Sequence, residues 1–105
     1  MHFFFFFGHR PFQLTRVGFS ARYLKGVEML DVSFNRLTSV NNLHTLTKLQ
    51  YLNLGFNMIS SMENCAAVIG NVSTLVLRNN QLNSVRGIER LMGLEQLDLR
   101  DNCLW

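Results

Sequence analysis

The chain has 105 residues, of which 48% are apolar and 16% are charged, with one Pro and two Cys. This length fits one domain, the apolar share excludes a mostly disordered chain, and two Cys are too few for a disulfide scaffold. The formal net charge of +3 comes wholly from residues 1–26, because residues 27–105 contain six basic and seven acidic residues, and the main body is therefore not expected to bind nucleic acid.

The first 23 residues show no repeat and differ in composition from the rest. They open with five consecutive Phe, Phe3–Phe7, and contain no acidic residue. We interpret residues 1–23 as a leader that is disordered or foreign to the domain, such as a wrong start to an incomplete gene model. A secretory signal, a mitochondrial transit peptide and a hydrophobic N-terminal cap remain open alternatives.

Residues 24–105 repeat with a period of 22 or 23 residues. The blocks VEMLDVSFNRL, LQYLNLGFNMI, VSTLVLRNNQL and LEQLDLRDNCL fit L-x-x-L-x-L-x-x-N-x-L, with Val, Ile and Leu interchangeable. The alternating L-x-L element predicts one short, half-buried strand per repeat, and stacked repeats form a parallel sheet. We predict an α/β solenoid with this sheet on its concave side, of about three full repeats plus a truncated fourth.

One Asn recurs at the same position of every repeat, just after the strand. A side-chain amide both donates and accepts hydrogen bonds, so it can satisfy backbone groups that the sharp turn would otherwise leave unpaired. We predict a structural ladder of stacked amides, formed by Asn35, Asn57, Asn80 and Asn102.

The returning half of each repeat carries apolar residues at steps of three, which favour a 3₁₀ or short helical segment on the convex side. In the second repeat these positions predict a buried Val68, and the one extra residue before Val72 is expected to form a bulge around residues 66–70. In the third repeat they predict a buried Val85.

The variable positions that flank the two central apolar residues of each strand form the solvent-facing columns of the concave sheet. Aromatic and Arg side chains are the usual anchors of protein interfaces. We predict partner contacts at Met29, Asp31, Tyr51, Asn53, Arg78, Asp98 and Arg100. Phe34 and Phe56 precede the ladder Asn in successive repeats, and we interpret them as a structural pair that stacks over the turn.

The residues that could carry catalysis or bind a metal have simpler interpretations. Cys65 occupies a repeated core position, so a nucleophilic pair with His44 is not favoured. No zinc spacing, phosphate-binding loop or membrane-spanning stretch appears in the sequence. We therefore expect no enzyme activity, no cofactor, no metal and no direct membrane insertion.

The repeats, from VEMLDVSFNRL to LEQLDLRDN, resemble the 22-residue class of leucine-rich repeats, as in the regulatory subunit of protein phosphatase 1, and are most similar to nischarin-like proteins. The LRDN ending and the extra residue near Gly70 are the more specific features. The resemblance implies an intracellular scaffold, with an upstream phosphoinositide-binding PX domain that residues 1–23 do not resemble. It also implies partners among integrin tails or Rac-type GTPase signalling components.

We therefore predict a non-enzymatic scaffold or adaptor module that binds a protein partner on its concave face. The expected location is the cytoplasm, with endosomal association of a longer parent protein, of which this chain is expected to be a fragment. There are two alternatives to this function. The chain is either a set of spacer repeats without a partner of its own or part of a phosphatase-regulatory subunit.

Overall fold

The computed structural model describes residues 4–6, 26–44 and 46–104. Its core element is one parallel sheet in which five short strands follow one another in chain order. The strands are β1 (Phe4–Phe6), β2 (Met29–Asp31), β3 (Tyr51–Asn53), β4 (Thr74–Val76) and β5 (Gln96–Asp98).

The register of the sheet follows the repeat. Leu30 pairs with Leu52, Leu52 with Leu75 and Leu75 with Leu97, so the central apolar residues of successive strands lie in one row. The first three of these side chains have no exposed surface, whereas Leu97 is 40% exposed, because no strand covers β5 on its outer side within the described ranges. The predicted α/β solenoid with a parallel sheet is confirmed.

The convex side is built from short helical segments, as predicted. Residues Asn41–Leu43 and Ile88–Arg90 form single 3₁₀ turns, and Ala66–Ile69 forms one α-helical turn, α1. The extra residue of the second repeat allows an i→i−4 hydrogen bond, in which the amide of Ile69 donates to the carbonyl of Cys65 at 2.8 Å.

Two core positions differ from the prediction. The helical turn α1 rotates Ile69 into the core, where it is 3% exposed, and leaves Val68 half-buried. Val85 is 47% exposed, because the chain turns at Gly87, whose φ of 97° breaks the step of three before Ile88. The convex periodicity is thus a weaker guide than the strand pattern.

The predicted leader lies outside the described residues except for β1. Its backbone pairs in parallel with β2, with Phe4 opposite Met29 and Phe6 opposite Asp31. The sequence gives no sign of this strand, because five identical residues carry no alternation. The assignment of residues 1–23 as a foreign leader stays a prediction.

No helix in the described ranges is long and apolar enough to cross a membrane.

Candidate functional site

The ladder asparagines bond neighbouring repeats together. The side-chain Oδ1 of Asn57 accepts a hydrogen bond from the amide of Leu37 in the preceding repeat at 2.9 Å. Its Nδ2 donates to the carbonyls of Leu54 at 2.9 Å and Val32 at 3.1 Å. One amide therefore satisfies backbone groups in its own turn and in the turn before it.

The same arrangement recurs along the stack. Asn80 accepts from the amide of Ile59 at 2.9 Å, and Asn102 accepts from the amide of Leu82 at 3.0 Å. Asn35, Asn57 and Asn80 are each no more than 7% exposed, whereas Asn102, in the last repeat, is half-buried. The ladder fixes where each strand ends and therefore which residues line the edge of the concave face.

The structure brings the predicted partner-binding residues together on the exposed face of the sheet. Met29 lies in register with Tyr51, and Asp31 with Asn53. Val76 is in register with Asn53 on one side and with Asp98 on the other. We call this row the second column; it consists of Asp31, Asn53, Val76 and Asp98. All the predicted contact residues in the strands are half-buried, and Arg100 is exposed. Their role in partner binding remains a prediction.

The polar residues of the second column also have a local role that sequence reasoning missed. Each accepts a hydrogen bond at its Oδ1 from the backbone amide two residues later, which stabilises the end of the strand. The pairs are Asp31 with Ser33 at 2.9 Å, Asn53 with Gly55 at 2.9 Å, and Asp98 with Arg100 at 3.1 Å. Val76 has no side-chain acceptor, so the third repeat is the exception.

Asp98 and Arg100 form an ion pair on the concave surface. The guanidinium donates to the carboxylate through Nε at 2.9 Å and through a terminal nitrogen at 2.7 Å. These hydrogen bonds from Arg100 lower the pKa of Asp98 to about 2. Both charges are thus engaged with each other before any partner arrives, which makes Arg100 a less available anchor than the sequence suggests.

Phe34 and Phe56 form a surface that the predicted contact set did not include. Their rings stack with centroids 4.3 Å apart and planes 8° from parallel. The guanidinium carbon of Arg78 lies 5.4 Å from the centroid of the Phe56 ring. The recurrence of Phe before the ladder Asn was the signal for the stack, but only the structure shows that Phe34 stays 47% exposed.

His44 and Cys65 contact two different backbone carbonyls. Cys65 has no exposed surface, and its thiol donates to the carbonyl of Gly87 at 3.5 Å. Burial, reinforced by the charge of Glu89, raises the pKa of this thiol, which disfavours the reactive thiolate. His44 is exposed, with Nδ1 3.2 Å from the carbonyl oxygen of Asn41. Among the described residues, no group of acidic, His or Cys side chains could hold a metal ion.

Comparisons with known proteins agree with this architecture. Residues 25–64 match the model of leucine-rich repeats in two copies. The chain is 37% identical over 87% of its length to the serine/threonine-protein kinase 11-interacting protein of Gallus gallus. It is 39% identical over 77% of its length to a homologue of the protein phosphatase 1 regulatory inhibitor subunit from Arabidopsis thaliana. The chain spans only 9% and 25% of the lengths of these relatives.

A solved structure gives the same result for the fold. Internalin C2 from Listeria monocytogenes superposes with a TM-score of 0.68 at 30% identity, covering 78% of this chain and 36% of that protein. None of these comparisons supports a specific closeness to nischarin-like proteins. The matched relatives are named as an interacting protein and as a regulatory subunit. Residues 25–64 therefore carry leucine-rich repeats, and the chain folds as a leucine-rich-repeat solenoid.

Proposed function

We propose that the chain is a non-enzymatic protein-binding module that holds a partner protein on the concave face of its sheet. The observation that carries this proposal is the alignment of Met29, Tyr51 and the second column on one regular surface. Aromatic, Met and Arg side chains are enriched in protein interfaces. A rigid sheet holds them at fixed spacing, so little conformational freedom is lost on binding.

The partner class is proposed from the relatives. One relative is named for its interaction with serine/threonine-protein kinase 11, and another as a regulatory inhibitor subunit of protein phosphatase 1. A kinase and a phosphatase catalytic subunit are therefore the first candidate partners. Binding to the phosphatase would also agree with a phosphatase-regulatory role for this chain. Nischarin-like signalling, with integrin tails or Rac-type GTPases as partners, is a further proposal that rests on resemblance, as does a cytoplasmic or endosome-associated location.

Binding to purified candidates tests the proposal. The immobilised chain would be exposed to serine/threonine-protein kinase 11, the protein phosphatase 1 catalytic subunit, a Rac-type GTPase and an integrin-tail peptide. We expect at least one to bind, and Tyr51→Ala combined with Arg78→Ala to weaken that binding by 10-fold or more.

Arg86→Ala is the matched control, because Arg86 is exposed on the convex side, where it pairs with Glu63 at 3.5 Å. We expect this variant to bind like the wild type. Unchanged affinity of the folded double variant would refute the concave-face assignment. Failure of every candidate to bind would favour the alternative of spacer repeats.

A further inference from the structure

The residue before each ladder Asn has a left-handed backbone conformation. The φ angles at this position are 59° at Phe34, 57° at Phe56, 56° at Asn79 and 59° at Asp101. Asn and Asp tolerate this region, whereas an aromatic residue is strained in it. Stability alone would therefore favour Asn, Asp or Gly in the first two repeats as well. Strained residues of this kind cluster at binding sites.

The two Phe rings gain little burial in return for this strain. Phe34 is 47% exposed, and Phe56 is half-buried. Their parallel stack presents aromatic surface at the edge of the concave face, where the strands end. A core-forming role would place these rings under the turn and out of contact with water. The stack is thus better suited to contact another molecule than to stabilise the solenoid.

Arg78 extends this stack by one repeat and is held in place by three neighbours. Its guanidinium lies over the Phe56 ring, and its Nε donates to Oδ1 of Asn79 at 3.3 Å. A Cβ at Gly55 would lie 3.3 Å from Cγ of Arg78, so the glycine leaves room for the aliphatic part of Arg78 to cross the neighbouring repeat. The side chain is therefore ordered before any partner binds.

The terminal nitrogens of Arg78 distinguish it from Arg100. In the described part of the chain, no side chain or carbonyl accepts a hydrogen bond from them, whereas Arg100 is occupied by Asp98 at 2.7 Å. A guanidinium held in this way offers parallel N–H groups whose geometry matches a carboxylate. Arg78 is the group on this face best prepared to bind an anion.

We propose that Phe34, Phe56 and Arg78 form a ledge that binds a partner segment in which an Asp or Glu stands beside an apolar residue. The carboxylate pairs with the terminal nitrogens of Arg78, and the apolar side chain packs on the Phe rings. This assignment rests on the proposed function, since it names the segment that the concave edge recognises. A nucleic acid fits less well, because residues 27–105 carry seven acidic and six basic residues.

Selection of a random peptide library on the intact chain tests this ledge. We expect the enriched peptides to share an Asp or Glu next to Leu, Ile, Phe or Trp. A synthetic peptide of the enriched sequence should bind Arg78→Gln at least 10-fold more weakly and Arg78→Lys with an intermediate loss. Arg86→Gln, on the convex side, is the matched control and should bind like the wild type. Circular dichroism establishes that each variant is folded.

A double-mutant cycle assigns the contact to the carboxylate. Changing the acidic residue of the peptide to its amide, Asp to Asn or Glu to Gln, should weaken binding to the wild type as much as Arg78→Gln does, with little further loss when both changes are combined. Enriched peptides without an acid, or additive losses, would overturn the ledge. If such peptides still lose affinity with Tyr51→Ala, the concave-face function survives, whereas enrichment of no peptide and failure of every protein candidate would overturn both.

Discussion

Replacing Asn57 with Ala should destabilise the solenoid through one particular orphaned group. The amide of Leu37 donates to Oδ1 of Asn57 and would lose this partner inside the stack. The carbonyls that Asn57 contacts keep other donors: Leu54 still accepts from Asn80 at 3.0 Å, and Val32 from Asn35 at 2.8 Å. The main cost is therefore one buried, unpaired N–H group.

The size of the effect follows from that count. An unsatisfied buried donor costs about 1–3 kcal/mol, and the lost volume of the amide adds to it. We expect the free energy of unfolding to fall by about 2–3 kcal/mol. With a denaturant dependence of about 2 kcal/mol per molar, urea unfolding followed by circular dichroism should show a midpoint about 1–1.5 M lower.

Two matched substitutions make this test specific. Asn83→Ala changes an exposed Asn outside the ladder and should alter stability by less than about 0.5 kcal/mol. Asn102→Ala removes a ladder residue that is only half-buried, so water can replace part of its bonding, and its effect should be smaller than that of Asn57→Ala. Near-wild-type stability of Asn57→Ala, or an equal loss for Asn102→Ala, would refute the reasoning.

Three further predictions concern the turns and the ion pair. The carboxyl of Asp98 should titrate near pH 2 by NMR, because Arg100 depresses its folded pKa. The contribution of the ion pair to folding stability is then fully present above the unfolded pKa of about 3.9 and is lost as the pH falls through 2. A titration midpoint near about 3.9 would contradict the pairing. Asn53→Ala removes the acceptor for the amide of Gly55 and should lower unfolding free energy by about 0.5–1.5 kcal/mol in urea titration, whereas a neutral result would mean that water replaces this bond. Gly87→Ala should lower the unfolding free energy by at least about 2 kcal/mol in the same assay, because φ is 97° and the new Cβ would clash with the backbone carbonyl oxygen of Met62. Full stability of this variant would show that the turn can relax.

The strand half of each repeat could be predicted from sequence because its pattern has two independent constraints. The L-x-L alternation fixes which side chains face the core, and the recurring Asn fixes where the strand ends. The alignment of Leu30, Leu52 and Leu75 follows directly from the constant spacing. Both constraints act between adjacent repeats, which are separated by a constant number of residues. The sequence pattern alone is therefore enough to predict them.

The convex half was less predictable because its contacts depend on backbone geometry. One extra residue turns a 3₁₀ segment into α1 and replaces Val68 with Ile69 in the core. The left-handed conformation of Phe34 and Phe56 has no sequence signal, since Phe is uncommon there. The pairing of Asp98 with Arg100 depends on side-chain rotamers that a column alignment does not specify.

Amide hydrogen exchange of the chain, alone and with a bound partner, tests the concave-face account most directly. Either a protein candidate that binds or the peptide enriched by selection serves as the ligand. We predict that binding slows exchange in residues 29–34, 51–56 and 74–79, and leaves the convex turn Ala66–Ile69 unchanged. Protection confined to the convex turns, with no change along the strands, would contradict it.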